Sequence, residues 1–420
     1  MVPVVRRLRH LPGRIVADAD HSATVRTASL IDRCRGVPAL SQIETVPGAL
    51  SCDPGWARRD RARGTGARTG VDGAAVNGST TVGIIANPAS ARDIRRLVAE
   101  GAPVTTNDKI GILKRVLVGL GSVGVERVLS MTDLSGISGG LQALADRLSA
   151  RGWPRLDFVD HEITETPLDT VVATRAMARA GVGAIVVLGG DGTNRLVAAG
   201  CGDIPMVSIS TGTNNTFPRF VEPTVAGMAA GLVATGKVHA GDVTARAKYL
   251  LVSSGEVSEW ALVDVAVTDM DFVASGAVWD PAGVSELYLC FAEPGAIGLS
   301  SIGANLNPVS RSAPWGMYLK LGPPAALTVT APVGPGLVRQ VAVASHELIE
   351  AGGSRAIGPG GGVIAIDGER MIRPEPGQET TVTLMAGGPR VVDVGATMAR
   401  AAETGVLVGP PPRSPGAHDP

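Results

Sequence analysis

Residues 189–193, Gly-Gly-Asp-Gly-Thr, follow five apolar residues, Ala184 to Leu188, and precede the helix-like stretch "NRLVAAG". Glycines at the end of a buried strand let backbone N–H groups approach an anion without a Cβ in the way. The helix N-terminus adds partial positive charge. Gly189, Gly190 and Gly192 therefore suit a phosphate chain, and Thr193 suits either a helix cap or a phosphate contact. Asp191 is an anion in a setting built for anions. That is electrostatically sensible if Mg²⁺ bridges it to phosphate, or if it accepts the proton of an alcohol being phosphorylated. The structural alternative is a plain strand-to-helix turn with Asp191 as N-cap.

A second loop has similar chemistry. "SISTGTNNTFP", Ser208 to Pro218, again follows an apolar run and offers Thr213, Asn214 and Asn215 beside Gly212. Carboxamides both donate to phosphate or ribose oxygens and accept from an amino group. Two such loops on successive strands of one sheet would face a common crevice beyond the strand ends. Asp367-Gly368-Glu369 has the form of a hairpin turn. Other matches are set aside. Gly119-Leu-Gly121-Ser-Val-Gly124 follows a helix and precedes a strand, the reverse of the dinucleotide-binding context. Gly136-Ile-Ser138-Gly-Gly140 lacks a tight elbow and a clear histidine partner, and His161-Glu162 is not followed by the second histidine of a zinc motif.

These loops need strands and helices to position them, and the chain supplies both. From Thr80 the apolar runs "TTVGIIANP", "VERVLSMTD", "RLDFVDHEI", "AIVVLGG" and "IPMVSIS" read as strands. Between them, "RDIRRLVAEG", "KIGILKRVLVGL", "GISGGLQALADRLSARG" and "TPLDTVVATRAMARAG" have helical spacing. Ile110, Leu113, Leu117 and Leu120 share one face, and Thr166, Pro167 and Asp169 form a capping-box-like start. This alternation predicts a doubly wound parallel sheet over residues 80–240. Over 241–400 the runs shorten and alternate ("KYLLVSS", "WALVDVAVTD", "ELYLCFA", "GMYLKL", "ALTVTAP", "RQVAVAS", "GVIAIDGER", "TTVTLMA"), predicting an antiparallel β-rich domain. "VVDVGATMARAAETG" offers a strand and helix returning to the first domain. Apolar residues make up 45% but aromatics only 3%, so the core must be aliphatic.

Residues 1–79 carry twelve Arg, no Lys and seven acids with no sustained periodicity, as expected of a disordered extension or a translation start further downstream. Residues 401–420 read as a disordered tail. A formal net charge of −1 disfavours nucleic acid and membrane surfaces as partners. Four scattered cysteines suggest neither disulfides nor a zinc site, and no apolar run approaches the roughly 18 residues of a membrane span. A soluble cytoplasmic protein is expected; homo-oligomerisation is left open.

The Gly-Gly-Asp-Gly-Thr loop with "GTNNTFP" about twenty residues later resembles the ATP-NAD kinase superfamily, and within it the acetoin catabolism protein X (AcoX-like) branch. "NPASARDIRRLV" and "KIGILKRVLVGL" are also similar to that branch. The resemblance implies a two-domain, Mg²⁺-dependent kinase using ATP, with NAD as first-choice acceptor and a lipid or small diol as alternatives. A catalytically silent nucleotide sensor is the other class. By resemblance Asn87 belongs to an ATP-contacting loop and Asp191 engages the acceptor ribose hydroxyl or the metal. Val263-Asp264 stands where such kinases carry an Asn-Glu pair, leaving Asp264 as a ribose contact. Related lipid kinases share a late Asp-Gly-Glu, which makes Glu369 a candidate catalytic base or metal-shell residue.

Overall fold

The computed structural model describes residues 79–90, 104–148, 152–211, 215–269, 280–358, 362–368 and 370–409. The first domain alternates strand and helix: β1 (Thr81–Ala86), α1 (Thr106–Ser122), β2 (Arg127–Ser130), α2 (Ile137–Leu148), β3 (Arg155–Phe158), α3 (Pro167–Arg179), β4 (Ala184–Gly189), α4 (Asp191–Ala198), β5 (Met206–Ser210), α5 (Pro223–Ala234) and β6 (Thr244–Arg246). The second follows with β7 (Tyr249–Ser254), β8 (Val257–Ala261), β9 (Asp264–Thr268), β10 (Val284–Leu289), α6 (Ser300–Leu306), β11 (Trp315–Leu321), β12 (Leu327–Gly334), β13 (Leu337–Glu350), β14 (Ser354–Ala356), β15 (Val363–Ile366), β16 (Arg370–Ile372) and β17 (Thr380–Met385). The chain then returns to the first sheet through β18 (Arg390–Val392) and ends the described fold in α7 (Val394–Glu403).

The first sheet runs β3-β2-β1-β4-β5-β18-β6. β1 to β5 pair in parallel, β18 joins β5 in parallel, and β6 closes the edge antiparallel. Alternate residues of the strands point to opposite faces. Val82, Ile84, Val186 and Leu188 meet Leu113, Leu117 and Leu120 of α1 and Leu232 of α5. Ile85, Ile185 and Val187 meet Met177 of α3 and Val197 of α4, in a core continuous with Val265, Tyr288 and Ile364 of the second domain. Both faces are covered, which is why these strands read as unbroken apolar runs. α1 and α5 pack closely: a Cβ on Gly119 would stand 2.2 Å from the Thr224 carbonyl, and one on Gly227 would stand 2.3 Å from that of Val116. Gly119 is thus a helix-packing glycine.

The second domain stacks the antiparallel sheet β12-β13-β11-β10-β9-β15-β16 beside β14-β17-β7-β8. "WALVDVAVTD", expected as one strand, is two, β8 and β9. The break is made by Asp367, whose carboxylate accepts the N–H groups of Leu262, Val263 and Asp264 and so withdraws them from a ladder. A second correction concerns α3. Thr166 is its N-cap, as expected, but Asp169 bonds the N–H and hydroxyl of Thr164 rather than closing a capping box. Ser138 lies in the first turn of α2, its hydroxyl donating to the Asp133 carbonyl at 2.9 Å. The expected helix "RDIRRLVAEG" and the extensions over 1–78 and 410–420 lie outside the described residues. Among the described residues, no helix is long and apolar enough to cross a membrane.

Candidate active site

In the strand order 3-2-1-4-5 the connections leave in opposite senses on either side of the β1/β4 pair, so a crevice opens beyond their C-terminal ends. Asn87 lies at the end of β1. Its Nδ2 donates to the Thr193 hydroxyl at 2.9 Å, and its Oδ1 accepts the Ala89 N–H at 2.8 Å. Lys109, at the start of the buried face of α1, donates to the carbonyls of Asn87, Pro88 and Ser90 at 3.0, 2.9 and 2.8 Å. It is only 2% exposed and anchors this loop from beneath.

The Gly-Gly-Asp-Gly-Thr segment is tighter than the sequence suggested. β4 ends at Gly189, Gly190 is the N-cap, and α4 begins at Asp191 rather than after Thr193. Asp191 is therefore not an N-cap, and Thr193 does not cap either, because it is already the third residue of the helix; its hydroxyl accepts from Asn87. Gly190 has no side chain to offer, so the first-turn N–H groups of α4 have no side-chain cap and carry the positive end of the helix dipole. A Cβ on Gly189 would lie 2.7 Å from the Thr193 side chain, and one on Gly190 would lie 2.9 Å from Asn215 Oδ1. The glycines permit that closeness.

The two predicted loops do meet. Asp191 Oδ1 accepts the N–H groups of Phe217 at 2.8 Å and Thr216 at 3.1 Å, and Oδ2 accepts Thr216 N–H at 3.1 Å. Asn215 donates to the Ser210 hydroxyl at 3.0 Å, and Thr211 lies 3.1 Å from the Ser90 hydroxyl. Asn87, Gly189, Gly190, Asp191, Gly192, Thr193 and Asn215 thus form one constellation at the heads of β1, β4 and β5. Thr213 and Asn214 lie outside the described residues, as does Glu369.

The second domain adds groups around these loops, of which the sequence singled out Asp264 and Asp367 but not Arg311. Arg311 donates to the carbonyls of Thr216 and, at 2.7 Å, Phe217, and pairs with Glu293 at 2.9 Å. The Thr216 hydroxyl donates to the Ile297 carbonyl at 3.1 Å. Asp264, 7% exposed, opens β9 where its main chain meets Asp367. Asp367 itself is sealed, and burial pushes its carboxyl up against the opposing pull of Arg195 and three N–H groups. Arg195, one turn after Asp191 on α4, lies 3.6 Å from Asp367 and 3.4 Å from Glu259, tying this second cluster to the first. Only Lys109 left a trace in sequence: it is spaced one turn before Leu113 on an otherwise apolar face. Arg195, Arg311 and Thr216 left none.

A helix N-terminus whose N-cap residue has no side chain suits a polyanion, and Asp191 is an oriented carboxylate beside it. Among the described residues no group of three or more His, Cys, Asp or Glu side chains gathers into a metal cage. One carboxylate beside an anion site fits Mg²⁺, which is commonly held by one or two carboxylates together with phosphate oxygens and water.

Comparison with known proteins agrees with this architecture. Residues 82–238 match the model of the ATP-NAD kinase N-terminal domain, and residues 248–387 match that of the acetoin catabolism protein X C-terminal domain. Acetoin catabolism protein X of Cupriavidus necator is 40% identical over 341 residues, spanning 78% of this chain and 94% of that protein. Among solved structures, yeast NADH kinase complexed with NADH is similar at a TM-score of 0.41 and 12% identity, covering 81% of this chain and 91% of its own. With both halves matched and a full-length relative at this identity, the chain belongs to the acetoin catabolism protein X family, whose first domain is of the ATP-NAD kinase type.

Proposed function

We propose that the protein is an ATP-dependent kinase that transfers the γ-phosphoryl group to a hydroxyl acceptor. The carrying observation is that the Gly-Gly-Asp-Gly-Thr segment opening α4 meets the Thr216–Phe217 segment, with Asp191 accepting both N–H groups beyond the ends of β4 and β5. In this reading the N–H groups following Gly189 and Gly190 receive phosphate oxygens, with Asn87, Thr193, Thr213, Asn214 and Asn215 around the nucleotide. Asp191 accepts the acceptor's proton or shares in holding Mg²⁺, which when bound would neutralise charge on the transferring phosphate. Glu369 is assigned to the same proton or metal shell. The cytoplasm is the setting expected for such an enzyme.

NAD is the first acceptor to test, in keeping with the ATP-NAD kinase match of the first domain, and Asp264 is then the ribose contact. A specific observation favours a second acceptor class, a small diol or hydroxyketone. Val263 is 1% exposed and packed in the core, so this position has no side chain with which to grip a dinucleotide. The 40% identical relative is named for acetoin catabolism. The test is ADP release by the full chain with ATP and Mg²⁺ across NAD, NADH, acetoin, small diols and diacylglycerol. The expected outcome is release with one acceptor class and loss of about 10³-fold in Asp191→Ala. Release that survives this substitution overturns the assignment, and nucleotide binding without release under any acceptor points to a sensor.

A further inference from the structure

Arg311 stands in the second domain, between α6 and β11, yet both terminal nitrogens of its guanidinium reach the first. Nη1 donates to the Phe217 carbonyl at 2.7 Å, Nη2 to the Thr216 carbonyl, and Nε to Glu293 at 2.9 Å. The planar group also lies 4.1 Å from the Phe291 ring centroid and 5.5 Å from that of Phe217. Its own loop is held in turn by Lys248, which donates to the carbonyls of Ser310, Ala313 and Trp315 at 3.1, 2.7 and 2.6 Å.

The Thr216 carbonyl and the Phe217 N–H belong to one peptide unit, and in a trans peptide the two point in opposite directions across a rigid plane. Arg311 grips the carbonyl side of that plane. Asp191 accepts the N–H side at 2.8 Å. A charged donor on the carbonyl also polarises the N–H toward its acceptor. We propose that Arg311 is a positioning residue for Asp191: its fork sets the Thr216–Phe217 peptide plane, so that the second domain aims the carboxylate facing the crevice. The effect on turnover rests on the kinase reading above, whereas the effect on the loop does not. Lysine cannot replace the group, because a point charge lacks the two parallel donors that hold adjacent carbonyls.

The experiment combines peptide-resolved hydrogen exchange over residues 215–221 with steady-state kinetics for the wild type, Arg311→Lys and Arg311→Ala. Expected is exchange at Thr216 and Phe217 faster by about tenfold or more in both variants, with the β7 and β17 peptides unchanged. Turnover is expected to fall about 10²-fold with KM for ATP moved less than about threefold, and added guanidinium is expected to restore part of it in Arg311→Ala. Should Arg311→Ala fail to fold, Arg311→Lys alone decides. Unchanged exchange at Thr216 and Phe217, exchange accelerated throughout the second domain, or full turnover despite a loosened loop would each overturn the proposal. If the wild type transfers phosphate to none of the acceptors while exchange responds as expected, the kinase reading falls and the Arg311 latch stands.

Discussion

Two aspartates in this molecule use the same chemistry for different ends. Asp191 and Asp367 are both nearly buried, at 8% and 3% exposure, and both spend their oxygens on main-chain N–H groups. Asp191 accepts from Thr216 and Phe217 where β4 passes into α4. Asp367 takes three, from Leu262, Val263 and Asp264, adds Arg195 beside it, and has a side chain with no exposure at all. Main-chain N–H groups orient a carboxylate without neutralising it, and in the kinase reading proposed above Asp191 is oriented in this way toward an incoming hydroxyl or metal. When the same bonds close around a sealed carboxylate with a guanidinium alongside, the result is a corner that turns one strand into two.

Asp191→Asn should sharpen this contrast most strongly. It preserves an acceptor for the loop while removing the charge, and about 10³-fold of turnover should be lost with little change in melting temperature, measured by ADP release and calorimetry. Asp367→Ala should do the reverse. Three N–H groups and Arg195 lose their partner together, and denaturant unfolding should show about 3–5 kcal/mol lost, with turnover of the folded fraction reduced less than about tenfold. If Asp367→Ala is as inactive as Asp191→Asn yet stable, the comparison fails. A smaller effect is expected of Gly189→Ala, whose Cβ would press on the stiff Thr193 side chain at the base of α4. About tenfold weaker ATP binding, or 1.4 kcal/mol by titration calorimetry, should result.

The smallest effect concerns pH. Burial raises the folded-state pKa of Asp367 above its ordinary 3.8. Between 3.8 and the raised value the folded protein keeps a proton that the unfolded chain has released, so this group's contribution to stability falls as pH rises through that window. Asp367→Asn does not titrate and lacks the slope. The stability of the wild type relative to this variant should therefore decline with rising pH from 3.8, by about 1.4 kcal/mol for each unit of elevation. A difference that is flat with pH would mean that Arg195 and the N–H groups fully offset burial.

Much of this was readable from residue order. The strand runs from "TTVGIIANP" to "TTVTLMA" and the return of "VVDVGATMARAAETG" became strands and helices close to where periodicity placed them. The helix Pro223–Ala234 left no such trace, because its small apolar residues are buried nearly all round and carry no amphipathic stripe. The turn chemistry of the Gly-Gly-Asp-Gly-Thr loop was legible since glycine is needed where Thr193 and Asn215 come so close. Its helix start was not, because Asp191 has a tertiary partner stronger than the local cap that its residue type suggests.

Sequence by itself determined where most strands and helices and the two glycine-bearing loops lie, since periodicity, capping and glycine placement act between neighbours a few residues apart. Only the tertiary structure decided which N–H groups orient Asp191 and which seal Asp367. The bonds that settle it join Asp191 to Phe217 across 26 residues and Asp367 to Leu262 across 105. Arg311 reaches the same loop across 94 and 95 residues. The first two contacts follow from how each domain folds on itself and the Arg311 contacts from how the two domains meet, and no local pattern of residue types encodes any of them.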